Sequence, residues 1–257
     1  MLSGLLVVLG LGGGFLSGLV GVGGAIIIIP LLLYVPPALG LGDLGIKAVA
    51  GITIVQVFAA SIVGLIGHRE SVDRSLVLTL GPPMVIASLT GALVSDLVSP
   101  IVLSIAFALM ASSAAVMMLI FRRRTVAEVD GAVPFHRTGT IVAGTGVGFA
   151  AGLVGAGGAF FLIPIMLYGL RIPVRVTVGT SLAVVAASAA AALIGKFATG
   201  QIDWVLALAL VIGAIPGART GALVSRRTST DRLVVVLGVV IALVAVRVWL
   251  DVFAWHV

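Results

Sequence analysis

Two short breaks carry the chemistry of this sequence. They are GVGGA at Gly21–Ala25 and GAGGA at Gly155–Ala159, each set inside apolar sequence. Glycine opens backbone angles closed to other residues and brings main-chain N–H groups to a surface with no side chain in the way. A helix that restarts after such a break leaves its first N–H groups unpaired and points the positive end of its dipole at that spot. An end of this kind holds an anion without a cationic side chain. Broken backbone inside a membrane is tolerated where it lines a cavity or is buried in protein. Gly21, Gly23, Gly24, Gly155, Gly157 and Gly158 are therefore the first candidates for a substrate-binding site, with a mere tight turn as the alternative. The pattern is not a dinucleotide fingerprint, because no strand precedes it and the third glycine of GxGxxG is missing. With no Cys in the chain, thiol chemistry and thiolate metal sites are also excluded, and neither a cofactor nor a metal is expected.

Polar side chains inside apolar sequence come next, because desolvating them is costly and often functional. Thr53 and Gln56 in the first half, and Thr180 and Ser181 in the second, offer hydroxyl or amide donors to an oxyanion. Hydrogen bonds between packed helices are the competing reading for the hydroxyls. The bulky amide of Gln56 is harder to place in lipid without a partner. Arg219 is the one charge well inside a segment, and its counterpart in the other half is Leu89. It reads equally as part of an anion pathway or as a side chain snorkelling to the interface. Lys196 and His68 fall at matching segment ends and read as interface anchors, while His136 and His256 are peripheral. The nine acids lie in loops or at segment ends, so no sodium site or proton relay on a buried carboxylate is visible.

The elements that position these residues follow from an internal repeat. Phe15–Tyr34 and Phe149–Tyr168 are identical at twelve of twenty aligned positions, and TGALVS recurs at Thr90–Ser95 and Thr220–Ser225. Asp73 follows its apolar segment as Asp203 follows the matching one. Each half holds five apolar segments, near 2–18, 24–35, 47–67, 75–95 and 100–121, then near 138–154, 158–170, 176–196, 204–224 and 232–250. The division is a first repeat over 1–121, a basic cytoplasmic linker over 122–138 and a second repeat over 139–257. Small residues every fourth position, at Gly10, Gly14 and Gly18 and again at Gly213, Gly217 and Gly221, predict close helix packing.

Composition places the chain in a bilayer. It is 61% hydrophobic and 9% charged over 257 residues, with a mean hydropathy of +1.33. A soluble domain carries roughly a quarter charged residues. The net charge of +6 does not point to nucleic acid, because the cations sit in short loops between apolar runs. With the linker inside, Arg69, Arg74, Arg122, Arg123, Arg124, Arg137, Arg171, Arg175, Arg226, Arg227 and Arg232 all share the cytoplasmic side. Only Lys47, Lys196 and Arg247 fall opposite, the bias the positive-inside rule requires. The N-terminal segment lacks a basic n-region and reads as a retained helix. Five segments per half turn the second repeat upside down relative to the first. The expected fold is an all-α polytopic membrane protein of two inverted five-segment repeats, each opening with a glycine-broken or re-entrant helix pair.

The doubled G-L-V-G-x-G-G-A, followed by an apolar run and Pro30 or Pro164, resembles the TauE/SafE family of sulfite exporters, also called TSUP or DUF81. The resemblance covers nearly the whole chain. It implies a multi-pass carrier in the inner membrane of a bacterium or archaeon, for sulfite, sulfoacetate or related anions. The expected function is therefore export of a small sulfur-containing oxyanion by alternating access, with an anion channel, or a carrier of another small organic anion, as alternatives. An intramembrane enzyme would need a nucleophile and base, or paired acids, at membrane depth, and none is visible. The expected partners are the anionic substrate and the lipid bilayer, without nucleic acid, and a homodimer is left open.

Overall fold

A computed structural model describes residues 1–20, 24–121, 137–225 and 230–254. Among the described residues all regular structure is helical. The helices are α1 (Leu2–Val20), α2 (Ala25–Ala38), α3 (Ile46–His68), α4 (Arg74–Val94) and α5 (Pro100–Phe121) in the first half. The second half holds α6 (Arg137–Val154), α7 (Ala159–Pro164), α8 (Val174–Ala198), α9 (Trp204–Ser225) and α10 (Thr230–Ala254). Among the described residues six of them, α1, α3, α4, α5, α8 and α9, are long and apolar enough to cross a membrane. Large apolar side chains such as Leu78, Ile86, Ile194, Leu208 and Ile212 stand exposed, as a lipid-facing surface demands.

Local chemistry sets the ends. The Asp73 carboxylate accepts the Leu76 N–H at 3.0 Å at the start of α4, and Asp203 accepts the Leu206 N–H at 3.1 Å at the start of α9. The two acids matched by the repeat are thus helix N-caps, which is why they sit at segment ends. After Pro164, which has no N–H to continue the ladder, the chain widens into a π-helical turn over Ile165–Gly169. The matching Pro30 leaves α2 helical, so the proline alone does not set that widening.

Packing crosses the boundary between the halves. A Cβ on Gly10 or Gly14 would meet backbone of Leu210 or Ala214, one on Gly18 that of Ala218, and those on Gly213, Gly217 and Gly221 would meet Val7, Leu11 and Phe15. Helices α1 and α9 therefore run parallel in backbone contact along their length. The same seam joins α6 to α4, with Gly144 near Leu80, Gly148 near Met84 and Gly152 on Ser88. Helix α3 runs parallel to α9, since Gly51 lies at Gln201 and Gly67 at Ala222; α8 runs parallel to α4, since Gly195 lies at Ala92. Helices α3 and α8 run antiparallel, because Gly179 near the start of α8 sits by His68 and Ser71 at the end of α3.

The paired segments at the head of each half combine a long helix with a short return. Helix α1 has 19 residues, about 28 Å. Helix α2 has 14 and begins beside the middle of α1: a Cβ on Gly24 would stand 2.5 Å from the Gly13 carbonyl oxygen. Gly158, which opens α7, likewise lies against Ala151 and Val147 in the middle of α6.

Candidate functional site

Both described N-caps of the returning helices are left-handed. Gly24 has φ +77° and Gly158 φ +76°, a conformation L side chains rarely adopt. Gly155 and Gly157 share it, whereas Gly21 and Gly23 lie outside the described residues. The breaks converge on the centre of α3 from two directions. The Gln56 Nε2 atom lies 3.1 Å from where a Gly24 Cβ would stand. One residue on, Val57 packs against Gly157, which also faces Val185 of α8 at 3.2 Å by the same measure. Gly155 approaches the Ala50 carbonyl, two turns back along α3.

The surroundings of the two breaks differ in kind. Thr53 and Gln56 are completely buried, and neither the Thr53 hydroxyl nor either polar atom of the Gln56 amide has a hydrogen-bond partner. Ser17 on α1 and Ser61 on α3 are also fully buried without a partner. A buried amide left unpaired costs roughly 1–3 kcal/mol, so these groups contribute no hydrogen bond to the fold. On α8 the polar groups are engaged. The Thr180 hydroxyl accepts the Asp73 N–H at 3.0 Å, tying α8 to the α3–α4 connection. Ser181 donates to the Val178 carbonyl at 3.0 Å, and Ser188 to that of Val185 at 3.2 Å. Gly158 itself is walled by Ala151, Val147 and Met84.

Arg219 is not brought to either break. It is exposed on the side of α9 away from the α1 seam, in an apolar groove of about 460 Å³ with Val63, Ile66 and Leu223. Lys196 departs from the interface-anchor reading, being completely buried. Its ammonium donates to the Ser95 hydroxyl at 2.6 Å, the Gln201 Oε1 at 2.9 Å and the Leu153 carbonyl at 3.2 Å. His68 Nε2 meets the Gly18 carbonyl at 3.2 Å, the matching place in the first half. The helix before each glycine break, α1 or α6, thus has a His or Lys side chain on a carbonyl of its last turn.

Ser17 and Ser61 were not among the residues singled out by sequence. Their counterparts in the repeat are Ala151 and Ala189, and that of Gln56 is Val184. Polar residues that break the repeat were the available signal.

Toward the end of the bundle where α3 begins, a cavity of about 660 Å³ opens between α2, α3, α5 and α10. Lys47 and Arg247 line it, with the Arg247 guanidinium 4.2 Å from the Tyr34 ring centre. Phe107 closes it below and packs edge-on against Phe160 of α7, ring centres 5.9 Å apart.

Long apolar helices, an apolar exterior and an interior glycine-broken polar site define a multi-pass membrane protein. Residues 6–248 match the family Sulfite exporter TauE/SafE, and the chain belongs to that family, whose members are membrane transporters rather than enzymes. It is 27% identical to the "Probable membrane transporter protein YunE" of Bacillus subtilis, over 93% of this chain and 94% of the relative. A probable membrane transporter protein of Xylella fastidiosa is 29% identical over 95% and 94% of the two chains. One from Methanocaldococcus jannaschii is 25% identical over 91% and 90%. No solved structure matches the chain.

Proposed function

We propose that the chain exports a small sulfur-containing oxyanion, sulfite or an organosulfonate such as sulfoacetate, across the cytoplasmic membrane of a bacterium or archaeon. The observation that carries this reading is the Gln56 amide, completely buried and unpartnered beside the N-terminus of α2 at Gly24. A helix end, an amide and the Thr53 hydroxyl together make a neutral cradle for an anion. The second break supplies the facing wall through Gly155, Gly157 and Gly158, with Thr180 and Ser181 supporting it from α8. Lys47 and Arg247 in the outer cavity raise the local concentration of anions.

Alternating access is supported by two features. The candidate site is completely buried, so a ligand reaches it only after helices move. The matching helices α3 and α8 run antiparallel, the relation an inverted repeat requires. Because α1–α9 and α4–α6 are in backbone contact, the α3–α8 crossing, where Val57 and Val185 both lie against Gly157, is where motion is expected. The test is flux of radiolabelled sulfite in proteoliposomes. Saturable, counterflow-stimulated flux that Gln56→Leu weakens supports the carrier. Unitary currents would turn the assignment to a channel, and flux unaffected by the substitution would remove the site from this place.

A further inference from the structure

The groups left unpaired at the first break specify more than negative charge. Gln56 presents two N–H donors and one carbonyl acceptor, and neither end has a partner. Turning the amide over exchanges the ends but still leaves an acceptor that needs a donor. A bare oxyanion carries acceptors only. It pairs with the amide nitrogen, the Thr53 hydroxyl and the first N–H groups of α2, but it faces the Gln56 oxygen with lone pairs. The charge of the surroundings adds a second constraint. Among the described residues Lys196 is the one fully buried charged side chain, and its three N–H donors are occupied by Ser95, Gln201 and Leu153. The cradle is therefore formally neutral. The cost of desolvating an ion rises with the square of its charge, whereas the return from neutral donors rises only in proportion to it, so such a cradle disfavours a dianion.

We infer that the ligand of this site is a monoanion that keeps a hydrogen-bond donor of its own: hydrogen sulfite rather than the sulfite dianion, or a hydroxyl-bearing sulfonate rather than sulfate. The inference rests on the reading of the first break as the anion site.

The test is calorimetric titration of the purified full-length protein in one mildly acidic buffer, where sulfite is held as hydrogen sulfite. The probes are hydrogen sulfite, sulfate, ethanesulfonate and 2-hydroxyethanesulfonate. The last two share one charge and differ by a hydroxyl group. The hydroxylated sulfonate is expected to bind roughly tenfold tighter than ethanesulfonate, the effect of one paired buried acceptor. Hydrogen sulfite is expected to bind by at least about the same factor tighter than sulfate. Gln56→Leu should bring the two sulfonates within about twofold of each other. Equal binding of the two sulfonates by the wild-type protein, or tighter binding of sulfate, would overturn the inference while leaving the anion site standing. Binding of none of the four would sink the anion site itself. If Gln56→Leu fails to fold, the wild-type comparisons still decide.

Discussion

The two glycine breaks descend from one repeated motif, yet their neighbours have diverged. The first faces Gln56, buried and unpaired as Thr53 is one turn before it, with Ser17 and Ser61 unpaired elsewhere on α1 and α3. The second faces valines, an alanine and a methionine, and the α8 hydroxyls of Thr180, Ser181 and Ser188 are already bonded to backbone. One backbone device thus serves two ends. In the first half it opens beside an unpaired buried amide; in the second it lets a short helix turn back beside apolar side chains. A duplicated fold need not carry a duplicated site, and the asymmetry lies in side chains at matched positions, Gln56 against Val184 and Ser61 against Ala189.

The sharpest way to break this contrast is to strain both breaks. Gly24→Ala and Gly158→Ala each force a Cβ into a left-handed position, at a cost on the order of 1–2 kcal/mol, to which Gly24→Ala adds a clash with the Gly13 carbonyl and Gly158→Ala closer contacts with side chains. Anion binding should separate them: about a hundredfold loss for Gly24→Ala, whose Cβ would stand against the Gln56 amide, and less than about tenfold for Gly158→Ala. Equal losses in calorimetry would mean that both breaks hold the ligand. Gln56→Leu comes next, with binding weakened by about ten- to a hundredfold. Because the substitution removes an unpaired buried amide, thermal unfolding in detergent should occur at the same temperature or higher. Unchanged affinity together with a lower unfolding temperature would recast Gln56 as structural. Thr180→Val inverts that pattern. It should cost about 1–2 kcal/mol by orphaning the Asp73 N–H, while anion affinity stays within about threefold. Arg219→Ala has the smallest expected effect, within about twofold on sulfite flux, since the side chain stands on the outer face of α9. A tenfold loss there would return Arg219 to the pathway.

Much of the architecture is legible in the residues themselves. Glycines at the breaks, prolines after them and aspartates at the caps are dictated by backbone geometry, so ten segments, their ends and the seams of small residues can be read from one strand of text. The state of each polar group cannot, because it depends on what another element brings. Thr180 looks free until Asp73 arrives from the turn before α4. Lys196, at the end of an apolar run, resembles an anchor until Ser95, Gln201 and the last turn of α6 close around it. Arg219 lies between these cases. It falls two residues from Gly217 and from Gly221, and residues two apart on a helix do not share a face, so the glycine seam already turns it away from α1.

The seam between α1 and α9 also has a consequence for the order of assembly. Gly10 meets Leu210, two hundred positions later in the chain. During synthesis the first helix enters the bilayer long before its partner exists, and its glycine face must pass that interval against lipid or a chaperone. A first half ending at Phe121 would lack the helix that α1 is shaped to fit. Expressed alone, it is expected to insert but remain open to protease. Co-expression with residues 137–257 should restore protection, and a protected first half on its own would show that the seam is dispensable for folding.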